Sequence, residues 1–134
     1  MKLSVIIPVY NEVGTILQIL KKVREASFDK EIIVVDDAST DGTRQLLEKF
    51  GEGIKAIFHE TNQGKGAAIQ TAIPYVTGDM VIIQDADLEY DPSEYPRLIA
   101  PILEGKADVV YGSMFLGEED RVLLLWHSVG NRIV

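Results

Sequence analysis

Short runs of β-branched and aliphatic residues alternate along this chain with longer stretches whose apolar positions recur every three or four residues. Leu3 to Val9, Glu31 to Asp36, Ile54 to Phe58, Met80 to Gln84 and Asp108 to Tyr111 read as strands. Gly14 to Ala26, Asp41 to Phe50, Lys65 to Val76 and Ser93 to Glu104 read as helices, with Gly51 and Gly105 placed to end the second and fourth. Runs such as Ile32-Ile33-Val34-Val35 carry no polar alternation, so they are buried on both faces. Strand–helix repetition of this kind predicts a mainly parallel sheet with right-handed crossovers. The expected fold is therefore α/β: a Rossmann-like, three-layer α/β/α sandwich.

Sheets of this type bind ligands beyond the carboxyl ends of their strands. Three polar clusters fall there: Tyr10-Asn11-Glu12, Asp36-Asp37-Ala38-Ser39 and Asp85-Ala86-Asp87. Asp85 and Asp87, spaced i and i+2, leave their strand on one face, and a turn can converge them on one ion. Carboxylate oxygens suit Mg²⁺ or Mn²⁺, ions that bridge to substrate phosphates. Glu89 can complete the set. Taken alone, Asp-x-Asp is also an ordinary surface turn; the other clusters favour the metal reading.

Each remaining cluster has a plain alternative. Pro8 to Glu12 is either a polar strand-to-helix turn or a floor under a nucleotide base, with Glu12 accepting from base or ribose. Asp37, Ser39, Asp41, Gly42 and Glu48 match a calcium-loop spacing, but a strand rather than a helix precedes them, which excludes that loop. Thr40 or Asp41 caps the next helix, and Asp37 stays available to a base or ribose. Asn62-Gln63-Gly64-Lys65-Gly66 opens a helix without phosphate-loop spacing. Lys65 lies either near phosphate, at a helix end that attracts anions, or in solvent beside a tight turn. His59 and His127 are far apart and receive no catalytic role.

The net charge of −8 and the scattered Lys and Arg argue against duplex nucleic acid as a partner. They leave nucleotides open, because a divalent ion screens phosphates. The absence of cysteine excludes thiolate chemistry and disulfides. Neither a secretory signal nor a run of ~20 apolar residues is visible, so the expectation is a cytoplasmic or peripheral protein. At 134 residues, with no repeat or linker, residues 1–134 read as one domain.

Together the segments Ser4 to Glu12, Val34 to Thr43, Asn62 to Gly66 and Gln84 to Glu89, in this order, resemble a family 2 glycosyltransferase with the GT-A fold. Asp108 to Ser113 and Trp126 to Arg132 make the chain similar to the dolichyl-phosphate mannose synthase and polyprenyl-phosphate glycosyltransferase branch. The resemblance implies that Pro8, Tyr10, Glu12 and Asp37 hold the nucleoside of a sugar nucleotide. It implies that Asp85 and Asp87 bind Mg²⁺ or Mn²⁺ through the diphosphate and carry the catalysis, with Glu89 as third ligand. Ala86 would contact the nucleotide through its backbone. The implied reaction moves a sugar from a donor of GDP-mannose or UDP-glucose type to a polyprenyl phosphate, with inversion; the alternatives are a family 2 transferase acting on a polysaccharide or lipid hydroxyl and a fragment that binds nucleotide without transfer.

Two departures from that branch stand out. Met114 occupies the place of an Arg that meets phosphate, and a methionine offers neither charge nor a donor. The domain also reads as the nucleotide-sugar-binding portion of a longer catalytic domain, incomplete at its C-terminus. Val122 to Val134 is expected to be an apolar helix, packed on the sheet or lying at a membrane interface near the lipid acceptor. Exposed apolar surface there would favour a homodimer.

Overall fold

In a computed structural model, residues 2–86, 92 and 96–97 are described, together with the backbone of 109–113 and 122–127. The chain begins β1 (Leu3–Val9), α1 (Ile16–Glu25), β2 (Lys30–Asp36), α2 (Thr43–Phe50) and β3 (Lys55–Phe58). It continues with α3 (Lys65–Ala72), a 3₁₀ turn (Ile73–Tyr75) and β4 (Met80–Ile83). Two further strands follow, β5 (Val109–Ser113) and β6 (Val122–His127). The sheet order is β3-β2-β1-β4-β6-β5. The first four strands are parallel, while β6 runs antiparallel to both β4 and β5.

Side chains alternate between the two faces. Leu3, Val5, Ile7, Val9, Ile32, Val34, Met80 and Ile82 pack with Ile16, Ile19, Leu20 and Val23 of α1 and Leu47 of α2. Ile6, Ile33, Val35, Val81 and Ile83 pack with Ala68 and Ala72 of α3. Alanines on that helix let its axis approach the sheet closely. The three-layer α/β/α expectation is met, and the early elements fall within a residue or two of their expected bounds. Pro74, inside the 3₁₀ turn, cannot continue the α3 ladder, which explains why that helix stops before Val76.

The expected helix over Val122–Val134 is corrected at its start: Val122–His127 is a strand between β4 and β5, and residues 128–134 lie outside the described residues. A short run such as Val122 to Trp126, apolar at every position, cannot be assigned by periodicity. Here pairing decides, with Met80 opposite His127 and Ile82 opposite Leu125. The expected helix Ser93–Glu104 lies largely outside the described residues.

Candidate functional site

Chain order reverses beside β1. The path β1-α1-β2-α2-β3 runs to one side, and the α3 crossover returns it to β4 on the other. Strand carboxyl ends diverge at such a switch point and leave a crevice. Odd-numbered β1 residues bond toward β2, as in Asp37 N–H to the Val9 carbonyl at 2.8 Å. Even-numbered ones bond toward β4, as in Gln84 N–H to the Ile6 carbonyl at 2.9 Å. The next ladder bond toward β4 would start from the N–H of residue 8, and proline has none. Register between β1 and β4 ends at Ile6 opposite Ile83.

A cleft of about 280 Å³ opens there, lined by Pro8, Val9, Tyr10, Glu12, Asp37, Lys65, Ala68, Asp85 and Ala86. Seven of the nine expected site residues are thus brought together. The other two, Asp87 and Glu89, lie outside the described residues, as does Met114.

Parity decides which acids meet. Asp37 and Asp85 continue the α3-facing register of Val35 and Ile83, while Asp36 continues that of Val34 on the other face. Asp37 is 3% exposed. Its Oδ1 accepts from Gln63 N–H at 2.8 Å and lies 2.9 Å from His59 Nδ1. Its Oδ2 accepts from Gly64 N–H at 2.8 Å, and its carbonyl accepts from Asn62 Nδ2 at 3.2 Å. Burial alone would raise its pKa; the donors from Gln63, His59 and Gly64 outweigh burial and hold the carboxyl below the usual carboxylate range. Asp37 therefore sits ionised at the N-terminal end of α3, where an anion is stabilised.

Lys65, the first residue of α3, pairs with Asp85 at the solvent boundary, with Nζ 2.5 Å from Oδ1. Their side chains are 54% and 23% exposed, so the pair is only partly shielded from water. Carboxylate oxygens are hard donors of the kind Mg²⁺ or Mn²⁺ prefer, and Asp85 Oδ1 is here taken by the Lys65 ammonium. Among the described residues no three His, Cys, Asp or Glu side chains are grouped to hold a metal. Of the expected trio only Asp85 is described.

The loops around the cleft are tied to one another. Asn11 N–H donates to Ser39 Oγ at 2.8 Å, and Thr40 N–H to Asn11 Oδ1 at 2.8 Å. Glu12 N–H donates to Thr43 Oγ1 at 3.0 Å. Asp41 accepts Thr43 N–H at 3.0 Å, so of Thr40 and Asp41 it is Asp41 that serves the start of α2, from one residue before Gly42 at the N-cap. Thr15 was not singled out in the sequence. Its hydroxyl lies 2.8 Å from the Ala86 carbonyl and 3.1 Å from Glu12 Oε2, joining α1 to the end of β4. Its partner Ala86 is 71 residues away, so no local signal marks it. His59 did carry a signal: it is a polar residue directly after a strand.

Solved structures similar to this chain include glycosyltransferases. Staphylococcus aureus TarS 1–349 in complex with UDP is 34% identical with a TM-score of 0.70, over 81% of this chain and 34% of that one. The mannosyltransferase PcManGT from Pyrobaculum calidifontis, in complex with GDP-Man and Mn²⁺, is 25% identical with a TM-score of 0.70, over 94% and 44%. Fold and cleft thus define a GT-A glycosyltransferase domain. The chain belongs to glycosyl transferase family 2, whose profile matches residues 4–132. Curated relatives include the undecaprenyl-phosphate 4-deoxy-4-formamido-L-arabinose transferases of Klebsiella pneumoniae, 36% identical over 90% of this chain, and Pseudomonas aeruginosa, 37% identical over 93%. This chain spans 39% of the length of each.

Proposed function

We propose that this chain forms the donor-binding part of a metal-dependent, inverting glycosyltransferase that moves a sugar from a nucleoside-diphosphate sugar to a polyprenyl phosphate. The observation that carries the reading is the cleft between β1 and β4, where Pro8, Tyr10, Glu12, Asp37, Lys65, Asp85 and Ala86 converge from four separate segments. UDP and GDP-Man with Mn²⁺ in the similar structures support the donor class, and the undecaprenyl-phosphate transferases support the acceptor class.

Pro8 and Tyr10 wall the nucleoside, and Glu12 and Asp37 accept hydrogen bonds from base or ribose. The Ala86 backbone meets the nucleotide, held in place by Thr15. Asp85, Asp87 and Glu89 would hold Mg²⁺ or Mn²⁺, which when bound stabilises negative charge on the departing diphosphate. Lys65 supplies a second positive charge beside that group. A phosphate acceptor is already an anion, so attack at the sugar C1 needs no general base on this chain. A lipid acceptor places the reaction at a membrane surface, on its cytoplasmic face.

The test is calorimetric titration of GDP and UDP, with and without Mn²⁺, on this chain and on Asp85→Ala and Asp87→Ala. One nucleotide should bind only with Mn²⁺, and both substitutions should abolish that binding. Failure of both nucleotides to bind would sink the reading. Binding without transfer of sugar to a polyprenyl phosphate would restrict this chain to donor binding.

A further inference from the structure

We infer that His59 is a positioning residue for the nucleotide: its imidazole locks the Asp37 carboxylate in the orientation that the cleft presents. The inference rests on the donor-binding reading above. His59 directly follows β3, is 7% exposed, and donates its backbone N–H to the Asp36 carbonyl at 2.9 Å. Its ring spans two elements, with Nδ1 2.9 Å from Asp37 Oδ1 and Nε2 2.8 Å from Thr71 Oγ1 in α3.

Asp37 is ionised and can only accept, so Nδ1 carries the proton. Nε2, 2.8 Å from the Thr71 hydroxyl, is then placed to accept from it, the arrangement of the Nδ1–H tautomer. A carboxylate offers roughly four acceptor positions. His59, Gln63 and Gly64 occupy three of them on Asp37, two on Oδ1 and one on Oδ2. One position on Oδ2 remains for a donor in the cleft that Asp37 lines. Without His59 the carboxylate keeps two backbone donors from one short loop and loses its restraint from β3.

Two substitutions separate positioning from bulk. In His59→Asn the side-chain amide N–H takes the place of Nδ1–H, while the bond to Thr71 is lost. In His59→Leu both are lost. The dissociation constant of the nucleotide that binds with Mn²⁺ is measured beside the melting temperature. His59→Leu should weaken binding about tenfold, the loss of one charge-assisted hydrogen bond. His59→Asn should recover binding to within about threefold of the unsubstituted chain, although it too melts earlier. Unchanged binding in His59→Leu, or equal weakening in both, overturns the role.

A third measurement needs neither a variant nor a ligand. Ring ¹⁵N shifts of the unsubstituted chain should show His59 as the Nδ1–H tautomer, and an Nε2–H tautomer overturns the role outright. If that tautomer is present but no nucleotide binds, the donor-binding reading falls and takes the role with it, leaving the His59–Asp37 geometry standing.

Discussion

Asn11 and Ala38 both hold left-handed backbone, with φ of 52° and 65°, in the two loops that border the cleft. Asparagine tolerates this region, whereas alanine is strained there by about 1–2 kcal/mol. The strain persists because the neighbours of Ala38 are over-determined. Asp37 is held by five partners, Val9, His59, Asn62, Gln63 and Gly64, and Ser39 bonds both Asp36 Oδ2 and the Asn11 N–H. Asn11→Ala forfeits the acceptor for Thr40 N–H and places a second strained alanine in the site. It should cost about 1–2 kcal/mol in urea denaturation, while Asn11→Asp, which keeps the acceptor, should lose less. Equal midpoints for Asn11→Ala and the unsubstituted chain would mean that the loop bond contributes nothing. At this scale the sequence was informative wherever a side chain sits directly beyond a strand, as Asp37 and Asp85 do. It was uninformative about partnerships across 12 to 71 residues, such as His59 with Thr71 or Thr15 with Ala86.

Elements were legible in proportion to their periodicity. β1 is legible to the residue, because the run Val5-Ile6-Ile7 continuing into Pro-Val-Tyr-Asn leaves little choice. The amphipathic helices α1 and α2 were read slightly long, because loop bonds from Asp41 to Thr43 and from Glu12 to Ile16 set their first residues. Val122–His127 was misread because its identity depends on the edge of β4 rather than on its own pattern. At the other end of β4, Gly78 joins that strand to β1. A Cβ on Gly78 would lie 2.6 Å from Ser4 Oγ, 2.8 Å from the Lys2 carbonyl and 2.9 Å from Ser4 N. Two of those atoms are backbone and cannot turn away. Gly78→Ala should therefore destabilise the fold by about 1–3 kcal/mol, the usual range for overpacking, with the change in thermal midpoint as readout. A neutral result would show that the β1–β4 junction yields.

For the whole molecule, three carboxylates tie separate parts of the chain together, and all have lowered pKa values. Asp37 joins β2 to the start of α3. Glu31 is pushed up by burial, but bonds from Ser4 Oγ, the Thr77 N–H and hydroxyl and the charge of Lys2 bring it down overall. Asp41 likewise overcomes desolvation through Thr43 and Val13. A carboxyl whose folded pKa lies below its unfolded value stabilises the fold fully above the unfolded value, and that contribution is lost as pH falls through the folded one. The melting temperature should therefore be insensitive to these groups above about pH 5 and should fall steeply below about pH 4. Asp37→Asn should flatten part of that acid limb, and a limb unchanged by the substitution would remove Asp37 from the account. The parallel part of the sheet and a ligand site at its strand carboxyl ends follow from strand–helix alternation; the order β3-β2-β1-β4-β6-β5, with β6 antiparallel, does not. Which acids share the cleft required one more step, the parity that sends Asp37 and Asp85 to the α3 face and Asp36 to the other.

Pro8 has a mechanical meaning at the mouth of the crevice. Zipping β1 to β4 by one more rung requires a hydrogen that residue 8 does not carry, so the two strands cannot close on each other as a fastener would. The gap is held open by covalent structure, ligand or no ligand. Any tightening around a bound nucleotide must come from side chains and loops above a fixed jaw.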